Sequence, residues 1–193
     1  MRNAEFDREA VLRAAMLAFM NKGYAKTSMQ DLTQVTGLHP GSLYCAFKNK
    51  RGILLAAIAQ YQSDKAAEFD AFFSTLETPL AQLKTYLDSL VLECISCEAS
   101  KACLLTKALN EMAEQDDELQ YIISQSLHRW EMSIADQFAK AKDKGQLNSQ
   151  RGSEALARYF VMGIYGLRTF AHTHPKHEVL QSLADQLFED VTR

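Results

Sequence analysis

A chain of 193 residues, 47% hydrophobic and 23% charged, can build one or two small cores and has the composition of an ordinary soluble globular protein. Its longest apolar runs, such as Ala14–Met20, are too short to span a bilayer, and the N-terminus has no signal-peptide pattern, so a cytoplasmic location with four reduced cysteines is expected. The net charge of −3 is unevenly spread: residues 1–51 hold eight Lys or Arg against four Asp or Glu, a local +4, which leaves −7 for the rest. A basic head on an acidic body is the balance of a nucleic-acid-binding segment joined to a regulatory one.

With only 8 Gly and 3 Pro as punctuation, long amphipathic stretches fill the chain and the spacing predicts an all-α fold. The first helix starts after Asp7, a candidate N-cap, and runs to Lys22, with Gly23 as its stop. Val11, Ala15, Ala18 and Phe19 give it an inner face. Arg2, Arg8 and Arg13 can approach phosphate, although a solvated face explains them equally well. Next comes Thr27–Lys50, TSMQDLTQVTGLHPGSLYCAFKNK. Ser28 can cap a short helix with Asp31 closing a capping box. Met29, Leu32 and Val35 mark its buried face, and Gly37 ends it where a left-handed residue is needed. Leu38 plugs the corner, and Pro40 suits the first turn of another short helix. Leu43 and Phe47 form that helix's inner face. Two such short helices would not be stable alone. Their arrangement suits presentation of the second to DNA.

The run T-S-x-x-x-L-x-x-x-x-G-L-x-x-G-S-L-Y-x-x-F-x-N-K resembles the helix-turn-helix signature of the TetR family of bacterial transcriptional regulators. Gly37, Gly41, Leu43, Tyr44, Phe47 and Lys50 fall in its register, and the motif covers about an eighth of the chain. Two departures stand out: His39 where the family often has Ser, and Arg51-Gly52 where it often has an acidic residue. The resemblance implies a helix-turn-helix domain over 1–50 and a helical effector-binding and dimerisation domain over 51–193. The second helix of the motif would enter the major groove with His39, Pro40, Gly41 and Ser42 at its N-terminal end. His39 can donate to guanine, Pro40 can press on a thymine methyl, and Gly41 allows close backbone approach. Tyr44 resembles the family tyrosine that bonds phosphate, and Thr27 or Ser28 can do the same. Cys45 is expected to be a small inward or flanking residue. Asn49 can cap the next helix, where free N–H groups and the cations Lys48, Lys50 and Arg51 make a phosphate site.

That next helix runs from Lys50 towards Leu76, with Leu54, Ala57, Ile58 and Tyr61 inside and Phe69, Phe72 and Phe73 read as core. Pro79 opens a helix to about Cys97. Ser100 can cap Cys103–Met112. Asp116 or Asp117 caps a long helix whose face carries Ile123, Leu127, Trp130, Ile134, Phe138 and Ala141 and which stops at Gly145. Two helices close the chain, about Ser153–Thr173 and Lys176–Val191. The first is apolar on two sides, through Leu156, Tyr159, Phe160, Met162, Ile164, Leu167 and Phe170, so it must be buried on two sides. Gly163 and Gly166 would admit a neighbouring helix, and Leu180, Leu183, Leu187 and Val191 give the last helix a stripe. The resemblance implies that these two helices make a homodimer, which would present two recognition helices to a pseudo-palindromic double-stranded operator, its half-sites roughly 34–36 Å apart.

Cys94, Cys97 and Cys103 fall within ten residues. As a zinc site they lack a fourth ligand, so no metal is expected. As a redox enzyme they lack strands around the CxxC. Packing is the plainer reading, a free Cys being a small hydrophobe. A thiol sensor is the sharper one: Cys103 sits in the first turn of a helix beside Lys101, with Cys94 and Cys97 as resolving partners. Ala102-Cys103-Leu104-Leu105 also resembles a helix start in a TetR branch responding to reactive electrophiles. Otherwise an unknown, largely apolar small-molecule effector is expected among the body helices, with Tyr61, Trp130, Phe160 and Tyr165 as lining and His128 as a polar contact. His172, His174 and His177 flank a proline and read as a solvated loop. No P-loop, nucleophile elbow or cofactor motif is present, so no enzyme or cofactor is expected. The expected function is a DNA-binding transcriptional repressor released by an effector or by cysteine modification. The alternative is a thiol-active or metal-sensing helical protein acting through those three cysteines.

Overall fold

The computed structural model describes residues 6–74, 78–96, 104–112 and 115–193. Among them are nine α-helices and no strand: α1 Arg8–Lys22, α2 Met29–Thr36, α3 Pro40–Phe47, α4 Lys50–Phe72, α5 Pro79–Ser96, α6 Leu104–Met112, α7 Asp117–Asp143, α8 Ser153–Phe170 and α9 His177–Thr192. Most boundaries follow from local chemistry. The Asp7 carboxylate accepts from Ala10 N–H at the start of α1. Ser28 and Asp31 close a complete capping box on α2. Gly37 ends that helix at φ 67, a left-handed conformation that costs a Cβ-free residue little. Asp116 caps α7 through Leu119 N–H, and Gly145, with φ 67, follows its end.

The chain divides into two compact units: the described residues within Met1–Ala67 and Cys103–Ile123, and those within Glu68–Ala102 and Ser124–Arg193. The first unit therefore holds more than a helix-turn-helix head cut at residue 50. It also contains most of α4, all of α6 and the first turns of α7. Its buried side chains include Leu12, Phe19, Leu32, Leu43, Phe47, Leu54, Ile58, Leu104 and Leu119. Leu32 and Leu43, each 0% exposed, join the two short helices to this core. Val35 does not. At 47% exposed it stands on the outer face of α2, because an eight-residue helix has room for only one fully buried contact row.

The second unit is built on one apolar cluster drawn from α5, α7, α8 and α9, including Leu83, Leu87, Ile134, Phe138, Phe160, Ile164, Leu180 and Val191. Phe138 and Phe160 meet edge to face at 5.7 Å. Phe69, Phe72 and Phe73 surround Tyr86; Phe69 is buried in the cluster, Phe73 is partly buried against it, and Phe72 lies outside it. Leu183 leaves the expected stripe of α9. It is 42% exposed, and Ala184 takes the inner position at 0%.

Candidate nucleic-acid interface

Pro40 stands at the first position of α3, and His39 precedes it as N-cap with extended backbone. The His39 Nδ1 accepts from Gly41 N–H at 3.3 Å. With Nδ1 accepting, Nε2 is the ring nitrogen left to donate, and His39 is exposed. Pro40 and Gly41 are exposed beside it, and Ser42 is half-buried. Tyr44 is 50% exposed. Of the inward and flanking positions expected for Cys45, the inward one is excluded: it is exposed, and the buried residues of α3 are Leu43 and Phe47.

The flanks of the motif differ from the expected phosphate site. Thr27 is only 1% exposed, and its hydroxyl donates to Gly23 O at 2.6 Å, so it ties the α1–α2 connection and is turned away from any ligand. Ser28 is exposed but shares its hydroxyl with the Asp31 carboxylate. Of the three cations expected at the head of α4, two are engaged inside the unit. Lys50 Nζ donates to Tyr24 O at 2.9 Å and lies 4.3 Å from the centre of the Tyr24 ring. Arg51 binds Asp116 through both Nε and a terminal nitrogen, at 2.5 and 2.9 Å, and reaches Glu118 at 2.7 Å. That bidentate grip pulls the Asp116 carboxyl down to about 2, helped by Leu119 N–H. Sequence spacing could not show it, because the partners lie 65 and 67 residues away.

Lys48 is the cation left over. It is exposed, makes no ion pair, and terminates α3 at φ 69, the one non-glycine residue with positive φ among those described. Asn49 Oδ1 accepts from Gly52 N–H at 2.9 Å and so caps α4 as expected. Lys26, exposed and unpaired just ahead of Thr27, is a cation that sequence reasoning passed over. Arg8 sits 4.9 Å from the centre of the Phe47 ring, and Arg13 pairs with Glu9 and Asp64, so both serve the fold; Arg2 lies outside the described residues.

The residues expected to sense an effector are divided between the two units. Tyr61 is buried in the first unit, whereas Trp130, Phe160 and Tyr165 belong to the second. The Trp130 and Tyr165 rings are 5.9 Å apart, and Trp130 Nε1 donates to Tyr86 Oη at 3.1 Å. Phe160, at 0% exposed, is core. Cys94 is 2% exposed and lies within the same apolar cluster, a poor environment for a thiolate. Cys97 and Cys103, with the expected cap Ser100, lie outside the described residues. Among the described residues no group of three or more His, Cys, Asp or Glu could hold a metal ion. His128, His172, His174 and His177 are exposed. No helix there is long and apolar enough to cross a membrane.

Residues 11–57 match the family described as bacterial regulatory proteins, tetR family, and residues 79–187 match the tetracyclin repressor-like C-terminal domain. The chain is 31% identical over 189 residues to the uncharacterized HTH-type transcriptional regulator YezE of Bacillus subtilis, covering 95% of each. It is 24% identical to the transcriptional regulator AcuR of Cereibacter sphaeroides, over 93% of this chain and 89% of that one. The fold is shared with a TetR-family regulator from Agrobacterium tumefaciens, with TM-score 0.85 and 18% identity over 96% of this chain and 97% of that one. It is also shared with a cysteine mutant of the TetR-family regulator CifR bound to a 26-base-pair operator duplex, with TM-score 0.83 and 23% identity over 98% of each chain.

Proposed function

The chain belongs to the TetR family of bacterial regulatory proteins, and we propose that it acts as a homodimeric repressor that reads a pseudo-palindromic operator through His39, Ser42 and Tyr44 of α3. The observation that supports this reading is the composition of the α3 surface. The inner face is committed to Leu43 and Phe47, while His39, Pro40, Gly41 and Tyr44 are exposed and Lys26 and Lys48 stand unpaired beside the motif. Neutral donors flanked by free cations suit a groove edge bounded by phosphates. Lys50 and Arg51 are left out of this site, their charges being spent internally.

The dimer reading rests on α8 and α9. Their inner faces are buried in the chain's own core, yet Met162 at 59%, Phe170 at 36%, Val179 at 37% and Leu183 at 42% remain exposed. Gly163 is taken up by Leu187 of the same chain, so Gly166, with open space over it, is the place for a second copy to approach. The effector is a largely apolar small molecule bound in the second unit near Trp130, Tyr165 and Tyr86, which offer ring faces and a hydroxyl. Modification at Cys97 or Cys103 is a second route to release.

The test is a selection from random duplexes with the purified protein, followed by binding measurements on the selected sequence. A pseudo-palindrome bound by wild type and lost in a His39→Ala, Tyr44→Ala double variant is expected. Selection of no sequence would sink the reading. Repeating the binding with N-ethylmaleimide, beside Cys103→Ser, separates thiol modification from an apolar effector.

A further inference from the structure

The helix α6 is packed in the first unit, with the head, and one face of it grips the connection that leads into the helix-turn-helix. Lys107 and Glu111 lie one turn apart and so share a side of α6. Lys107 Nζ donates to Met20 O at 2.6 Å, one of the C-terminal carbonyls of α1. The Glu111 carboxylate accepts from Ala25 N–H at 3.0 Å. It lies so close over Gly23 that a Cβ added there would stand 2.3 Å from its Oε1, and Gly23 itself has φ 82, which a side chain would strain. In addition, Lys50 holds Tyr24 O and Thr27 holds Gly23 O. The polar backbone between Met20 and Ala25 is thus held by α4, by Thr27 and by α6. Three residues beyond Ala25, Ser28 caps α2.

We infer that Lys107 and Glu111 are positioning residues for DNA recognition: α6 sets the connection from which α2 and α3 are presented. This rests on the DNA-binding reading above and adds residues that touch no DNA in it. A carboxylate in a unit that meets a polyanion is a repulsive charge, so bare electrostatics has Glu111→Ala bind DNA more tightly. Loss of the grip on Ala25 has it bind operator more weakly. The two accounts differ in sign. They also differ in salt dependence, because a positioning residue releases no counterions and leaves the slope of log affinity against log salt unchanged.

The experiment measures affinity for the selected operator and for a random duplex, across a salt series, with thermal unfolding of each variant alongside. For Glu111→Ala the expected result is operator binding weaker by about tenfold, the scale of one charge-assisted hydrogen bond, with random-duplex affinity and salt slope unchanged. Glu111→Gln, whose amide oxygen can still accept from Ala25, restores most of that loss. Lys107→Met, which keeps the apolar stem, weakens operator binding at unchanged slope and carries the test should Glu111→Ala fail to fold. Folded Glu111→Ala that binds operator as tightly as wild type, or more tightly, overturns the inference. So does a Lys107→Met slope reduced by about 1, which would make Lys107 a phosphate contact. Wild type that binds no specific duplex overturns the functional reading and this inference with it.

Discussion

Lys48 holds a backbone conformation that its side chain makes costly. At φ 69 it closes α3, its N–H bonded to Tyr44 O, and no tertiary partner compensates it. Strain of this kind costs on the order of 1–3 kcal/mol and collects at functional positions. Glycine would relieve it, so Lys48→Gly is expected to stabilise the fold by about 1 kcal/mol. The same change removes an unpaired cation, so operator affinity should fall and its salt slope should shrink by about 1. Denaturant unfolding and a salt series on one preparation check both. A variant that gains stability and keeps its slope would move Lys48 out of the interface. Thr27 is the opposite case. It was a candidate contact, and its burial beneath Gly23 O makes it a strut of the connection.

At the scale of elements, the local signals were sufficient for helix ends. Ser28 with Asp31, Gly37, Pro40, Asn49, Asp116 and Gly145 each act within a few residues of themselves, and each is where the sequence placed it. Asp31 shows how such a cap is reinforced: Lys22, at 2.6 Å, and Ser28 hold its carboxyl well below the usual carboxylate range. The joints between elements were not legible in the same way. The clasp of Arg51 on Asp116 and Glu118 ties the start of α4 to the start of α7. Since the folded carboxyl of Asp116 is depressed to about 2, its stabilisation is fully present above the unfolded value of about 4 and is lost as pH falls from there towards about 2. Asp116→Asn should therefore melt lower than wild type at pH 7, with the difference closing by about pH 2. Melting curves across that range check it; a gap that persists in acid would assign the effect to the α7 cap alone.

For the whole molecule, the open question of assembly sits on α8 and α9. Sequence reasoning made α8 two-sided, and the chain buries one side and leaves Met162 and Phe170 on the other. A helix with an apolar outer stripe next to another carrying Val179 and Leu183 is the surface expected of a symmetric contact. Met162→Glu combined with Leu183→Asp should give a monomer in sedimentation and leave the helical content unchanged, since neither residue is in the core. Operator binding should then drop by orders of magnitude, because each head holds only one half-site. A variant that stays dimeric would direct the search for the interface elsewhere.

By itself the sequence determined the all-α class, the extent of α1 to α3, the inner residues Leu32, Leu43 and Phe47, and the family to which the chain belongs. The class, the helix extents and the inner residues follow from propensity, capping and periodicity, which act over one or two helical turns, and the family from the likeness of the Thr27–Lys50 motif and of the whole chain to its members. Only the tertiary structure decided that α6 is packed in the same unit as the head and that Lys50 and Arg51 are engaged by partners within it. Those outcomes rest on partners 26 to 87 residues distant, as in Lys50 with Tyr24 and Lys107 with Met20. A charge read along the chain looks free until a distant carboxylate or carbonyl claims it, and local spacing carries no record of that claim.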